Sequence, residues 1–120
     1  MVYQKIVLSG ERPVSWNKLK RMHWRKWQDE VERCKWLIMD AAGMQTEPIN
    51  EPVKITVTAY YKNRPHDASN VPAKLFEDGL VAANVLHDDA PKYVSSMTTR
   101  SRVDKKHPRV EIEITSEGNE

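Results

Sequence analysis

"VKITVTAYY" (53–61) decides how the rest of the chain is read. Val53, Ile55, Val57 and Ala59 alternate with Lys54, Thr56, Thr58 and Tyr60. That period of two marks a strand that buries one face and wets the other. Downstream, "KYVSSMTTRSRV" (92–103) and "PRVEIEITS" (108–116) read as two more strands joined by the turn "DKKH" (104–107). In the second, Val110, Ile112 and Ile114 alternate with Arg109, Glu111 and Glu113. Upstream, "YQKIVLSG" (3–10) alternates more weakly and ends in Ser-Gly, a plausible first strand.

Two helical patterns separate these strands. After the loop "ERPVSWN" (11–17), with a cap expected at Ser15 or Asn17, no Pro or Gly occurs from Asn17 to Ala42. Trp24, Trp27, Val31, Cys34, Ile38 and Ala41 recur at steps of three and four, predicting one long amphipathic helix stopped by Gly43. The tryptophans could stack on bases, but this spacing places Trp24 and Trp27 in the core. On the same stripe Cys34 reads as a small buried hydrophobe rather than a nucleophile. "TEPINEP" (46–52) is a turn-rich connection. A second helix is predicted over about 70–83, capped by Asp67, Ser69 or Asn70 and carrying Pro72 in its first turn. Val71, Leu75, Phe76, Gly79, Leu80 and Ala83 would face the core, with Asn70, Lys74, Glu77, Asp78 and Val81 opposite.

The order β–α–β–α–β–β predicts an α+β fold: a four-stranded mixed or antiparallel sheet with both helices packed on one face. Short connections do not fix the strand order. A chain of 120 residues is the size of a single domain, and 39% hydrophobic with 30% charged residues describes a globular one. The last four residues read as frayed. No apolar run reaches the roughly 18 residues of a membrane span, and no signal-peptide pattern opens the sequence. The lone Cys34 excludes an intramolecular disulfide and a Cys-based zinc site. The setting these features predict is reducing and cytoplasmic.

The charges are unevenly placed. The net charge is only +2, yet the basic residues fall in three runs: Lys18, Lys20, Arg21 and Arg25 with Lys26, then Lys62 and Arg64, then Arg100, Arg102, Lys105 and Lys106 with Arg109. A single run is usually a solvated face; three runs apart in sequence point to a phosphate-binding surface. The acids Asp67, Asp78, Asp88 and Asp89 gather around the second helix, with Lys74 among them. A 14-residue helix spans roughly 21 Å, and residues 84 to 89 extend roughly 20 Å, so the chain can bring Asp88 or Asp89 back near Asp67. Carboxylates meeting there would have a pKa raised by mutual repulsion or would take a divalent cation. Oxygen donors suit Mg²⁺ or Mn²⁺, and Lys74 would add positive charge to a transition state. Equally, Asp67 and Asn70 can be helix caps and Asp88–Asp89 an ordinary turn. His23, His66, His87 and His107 lack zinc-ligand spacing, and His66 and His87 read as exposed loop residues beside the acids. No G-x-S-x-G, P-loop or G-x-G-x-x-G motif is present.

"RPHDASNVPAKLFEDGLVAANVLHDDAPKYV" (64–94) resembles the core of the RusA-type Holliday junction resolvases, small Mg²⁺-dependent endonucleases of phages and prophages. The likeness rests on Asp67, Asn70, the helical Lys74, "DGL" (78–80) and the pair Asp88–Asp89. "PVSWN" (13–17) is similar to the family's Pro-x-Ser-x-Asn loop, so the likeness covers nearly the whole chain. The resemblance implies one RusA-like nuclease domain over 1–120, acting as a homodimer that nicks two strands of a four-way junction symmetrically. It also implies Asp67, Asp89 and Lys74 as catalytic residues, and Asp67, Asp88 and Asp89, with Asn70 or Asp78, as ligands of Mg²⁺ or Mn²⁺. The three basic runs would hold DNA phosphates. The chain departs from the family's Asp-x-Asp-Asn pattern: Ser69 stands where the second aspartate belongs, and the lysine lies one residue further on. A binder of branched DNA that does not cut it is the alternative. A small α+β interaction module with capping acids and solvated basic runs is a third reading.

Overall fold

The structure, a computed structural model, describes residues 2–11, 13–43 and 45–117, with only the backbone of Val2 and Tyr3. The element order is β1 (Val2–Ser9), α1 (Trp16–Leu19), α2 (Trp24–Ala42), β2 (Val53–Tyr61), a 3-10 turn (Ala68–Asn70), α3 (Ala73–Ala82), β3 (Val94–Val103) and β4 (Arg109–Ser116). Arg12 of the predicted 11–17 loop and residues 118–120 of the predicted frayed end lie outside the described residues.

The strands form one mixed sheet in the order β1-β4-β2-β3. β4 runs antiparallel to both β1 and β2, while β2 and β3 are parallel and joined by the crossover that contains α3. Ile6 lies opposite Ile112, and Val57 opposite the same Ile112, so the apolar alternation of three strands falls on one face. That face carries Ile6, Leu8, Val53, Ile55, Val57, Ala59, Val110, Ile112 and Ile114, all buried. Cys34 and Ile38 of α2 and Leu75, Phe76 and Leu80 of α3 join them in one core cluster. The α+β architecture and the mixed sheet are thus as the sequence predicts.

Helices α2 and α3 approach closely at Gly79. A Cβ there would lie 2.6 Å from Cys34 Sγ, so only glycine lets the two helices meet with the thiol between them. Cys34 is buried as expected, and burial pushes its thiol pKa up to about 12.

Three helical expectations need correction. The predicted helix over 17–42 is broken: α1 ends at Leu19 and α2 begins at Trp24. An unbroken helix would stack Lys18 on Arg21 and Arg21 on Arg25, like charges at i,i+3 and i,i+4. The break turns Leu19 into the core instead, and His23 Nδ1 accepts the Arg25 backbone N–H at 3.2 Å to start α2. Trp24 is consequently not a core residue but 63% exposed, and Ala41 at the far end is also exposed. The predicted helix over 70–83 is shorter, because Pro72 forces Val71 into extended backbone (φ −72°, ψ 126°) and α3 starts only at Ala73. Neither Asp67 nor any other side chain caps α3; Pro72 occupies its N-cap position. Asn84, in the left-handed region at φ 64°, ends the helix.

Candidate functional site

The short α3 is what brings the acids together. Ten residues rise about 15 Å, and the chain leaving Asn84 returns beside the helix it has just made. Leu86 bridges to Ile49, and both Val85 and Leu86 are buried, which pins the return. Asp89 thereby reaches the first turns of α3, where Lys74 Nζ lies 2.5 Å from Asp89 Oδ2 and 3.0 Å from Asp78 Oδ1. Glu77 is 3.9 Å from the same ammonium.

One lysine thus sits among three carboxylates. The hydrogen bond to Asp89 raises the pKa of Lys74 well above that of a free lysine, outweighing partial burial. The same bond, aided by Asp88, holds the Asp89 carboxyl below its ordinary value. Glu77 moves the other way, pushed up by burial. Asp88 Oδ1 accepts the Asp89 backbone N–H at 2.7 Å, fixing the two aspartates relative to each other.

Asp78, Asp88 and Asp89 line a cavity of about 290 Å³ against Trp27, Gln28 and Val31 of α2. Lys74 lines a second cavity of about 310 Å³ with Ser69, Trp16 and Thr99. Ser69, in the place of the second family aspartate, is therefore on the Lys74 side of the site and exposed.

Asn70 does not cap α3, the capping role its position suggests. Its Oδ1 accepts the Asn17 backbone N–H at 2.9 Å, tying the 3-10 turn to α1. Thr99 Oγ1 donates to the Ala68 carbonyl at 2.7 Å, tying the same turn to β3. Asp67 stands exposed at the start of this turn with no side-chain capping bond. Beside it, His66 stacks on Tyr61 with ring centroids 4.7 Å apart. His66 Nδ1, Tyr61 OH and Ser101 Oγ are buried with no protein hydrogen-bond partner among the described residues.

Among the described residues no group of three His, Cys, Asp or Glu side chains is arranged to hold a metal ion. The expected meeting of Asp67 with Asp88 or Asp89 does not appear as such a cluster, because Lys74 supplies the countercharge to Asp78 and Asp89. An all-protein cage does not fit these residues. A hard cation held by one or two carboxylates, with water and phosphate oxygens completing its shell, does fit the donor chemistry of the exposed Asp88–Asp89 pair.

The three basic runs do not share one surface. Lys18, Lys20, Arg21 and Arg25 lie on α1, on the turn that follows it and at the start of α2, and Lys20 and Lys74 line the same cavity. Arg100 pairs in register with Thr58 and Arg102 with Tyr60, whereas Thr99 pairs with the buried Val57. Alternation therefore puts Arg100 and Arg102 on the sheet face away from the helices and the acids. Lys62 and Arg64 follow β2, and Lys105 and Lys106 sit in the β3–β4 turn, joined to the end of β2 by the Asp104 N–H to Tyr61 carbonyl bond. Exposed Trp24, which the stripe assigned to the core, lies on the first of these surfaces. The signal for it was the concentration of cations in "KLKRMHWRKW" (18–27), which disfavours a continuous helix.

No helix among the described residues is long and apolar enough to cross a membrane. No curated protein matches the chain significantly. Residues 11–115 match the family described as Endodeoxyribonuclease RusA, a span that includes α1 through β4 up to Thr115 and every acid and lysine of the site. That match covers most of the chain, and the protein belongs to the RusA endodeoxyribonuclease family.

Proposed function

We propose that this chain is a Mg²⁺-dependent, structure-specific endonuclease that resolves four-way DNA junctions, its residues 1–120 forming one nuclease domain that works in the cytoplasm as a homodimer. The observation that carries the reading is the return of Asp88–Asp89 to the first turns of α3 beside Lys74, within a RusA family match. Asp88 and Asp89 are the pair assigned to hold Mg²⁺ or Mn²⁺, with Asp67, which forms no three-acid cluster with them among the described residues, as the further ligand that the family pattern implies. When bound, the cation would neutralise charge developing on the phosphodiester and favour attack by water.

The chain's own residues divide the remaining work. Lys74 places a positive charge beside Asp78 and Asp89, two of the carboxylates that line the acidic cavity, where it would favour the approach of a phosphate. Asp78 holds Lys74 one turn along the helix. Asn70 positions the 3-10 turn, and with it Asp67, through its bond to Asn17. The α1–α2 cations attract the sugar-phosphate backbone toward this face.

Removing a cation-holding carboxylate should cost several kcal/mol of transition-state stabilisation, so Asp67→Asn and Asp89→Asn should each slow junction cleavage by about 100-fold or more. Junction binding should survive or improve, because each change removes negative charge facing phosphate. Cleavage rates and gel shifts on a synthetic four-way junction in Mg²⁺ measure both. Undiminished cleavage by both variants would exclude the assigned residues.

A second reading has specific support. Ser69 brings no carboxylate to the Lys74 side, and no three-acid cluster forms among the described residues. Those observations suit a protein that binds branched DNA without cutting it. Tight junction binding with no nicks at any concentration of Mg²⁺ or Mn²⁺ would select that reading.

A further inference from the structure

Trp24 is the most exposed of the large hydrophobic side chains among the described residues, at 63%. It does not stand alone. Trp16, Trp24, Trp27 and Met22 wall an open cavity of about 480 Å³, with Leu19, Lys20 and Lys74 completing its lining. Trp16 and Trp27 meet edge to face, centroids 6.0 Å apart and planes at 77°, so two of its walls pack against each other. Arg25 lies 5.7 Å from the Trp24 ring centroid.

The cavity's neighbours define what it could hold. Through Met22 it adjoins a cavity of about 370 Å³ lined by Lys18, Arg21 and Lys26. Among the described residues no carboxylate forms a salt bridge with any of these three cations or with Lys20. Through Trp27 it adjoins the cavity of Asp78, Asp88 and Asp89, and through Trp16 and Lys74 the cavity of Ser69. An aromatic slot therefore adjoins both a basic surface and the acidic site, and Lys74 in its lining pairs with Asp78 and Asp89 of that site.

We propose that this slot receives one unpaired nucleobase from the branch point of DNA, stacked on Trp24, while Lys20 and the basic cavity hold the phosphates on either side. The inference rests on the reading of the chain as a protein acting on branched DNA, and it names the feature of the substrate that the site recognises. Flat indole faces suit any base, and a base at a junction centre is cheaper to displace than one inside a duplex because the stack between arms is interrupted there. The polyanionic backbone complements the cations. A second copy of this chain would not: it would set the same lysines and arginines face to face, and interface cores are depleted in charge.

The test uses the full chain in EDTA, so that binding is read without cleavage, on a four-way junction, a single strand and a blunt duplex of matched length. Trp24→Ala should weaken junction and single-strand affinity by about tenfold and leave duplex affinity within twofold, and Trp24→Phe should restore most of the loss. Trp36→Ala, also exposed on α2 but outside this cavity, should change nothing. Equal affinities for wild type and Trp24→Ala on all three DNAs would overturn the proposal, as would an equal loss on duplex. A change of oligomeric state in Trp24→Ala with junction affinity intact would overturn it in favour of a subunit interface. If wild type fails to cut in Mg²⁺ while the Trp24 effect persists, the slot stands and the nuclease reading falls. If wild type binds no DNA, both fall.

Discussion

Lys74 on α3 and Arg109 on β4 are each a cation set among carboxylates, and the two groups differ in almost everything else. On α3, Lys74 reaches Asp78 and Asp89 at 3.0 and 2.5 Å. On β4, Arg109 reaches Asp104 and Glu111 at 2.8 and 2.6 Å. Arg109 also lies 3.8 Å from the Tyr60 ring centroid and donates to the His107 carbonyl. Its guanidinium is planar, forked and stacked, so each partner is matched to a fixed direction. Lys74 is a point charge on a flexible stem, 44% exposed, and its partners open onto cavities. The Arg109 group is closed by its own partners; the Lys74 group lies open beside cavities.

That contrast can be broken most directly at Lys74. Lys74→Met should reduce junction cleavage by about 100-fold, as loss of a charge-stabilising donor does. Its melting temperature should move by less than about 2 °C, since exposed ion pairs contribute little. Rate measurements and a thermal melt on the same preparation check both. A large fall in melting temperature would make Lys74 structural and erase the distinction.

The reverse pattern is expected at Arg109. Arg109→Met removes a stacked, multiply bonded cation from two adjacent carboxylates and should lower the melting temperature by about 5 °C. Junction cleavage by the folded variant should stay within twofold of wild type, because the group lies away from the helices. Arg109→Lys should recover only part of the stability, because an ammonium cannot reproduce the fork or the ring contact.

How far the sequence showed this in advance depends on the range of the interactions involved. The span of β2 was legible to the residue, because alternation is local and nothing interrupts it. The extra length given to α3 came from reading Val71 as helical; the restriction a proline puts on its predecessor removes it. The break between α1 and α2 has no Pro or Gly to announce it, and it depends on Leu19 reaching the core, a tertiary effect. Strand order was invisible because the pairing of β1 with β4 joins residues a hundred positions apart. Without that order the direction of Arg100 and Arg102 could not be placed. In the candidate site, likeness to a known pattern singled out Lys74 and Asp88–Asp89, but not the ion pair between Lys74 and Asp89. The engagement of Asn70 with Asn17 was not legible either, because that bond links segments 53 residues apart.

The smallest effect tests the sheet group through pH. Arg109, chiefly, and the backbone N–H groups of His107 and Lys106 hold the Asp104 carboxyl below the ordinary aspartate value. Burial pushes Glu111 up, but hydrogen bonds from Arg109 and Lys5 outweigh it and leave it lowered as well. A carboxyl whose folded pKa is depressed binds fewer protons when folded than when unfolded, across the window between the two values. Its stabilising contribution is complete above the unfolded value and disappears as pH falls through the folded one. Asp104→Asn should therefore differ from wild type by a constant, small margin in thermal melts from pH 8 to about pH 5. Below that the margin should shrink and vanish once Asp104 is protonated in both states. A margin that instead grew in acid would mean that Asp104 is not held by Arg109 in the folded protein, and the sheet group would lose the fixed geometry that sets it apart from the group on α3.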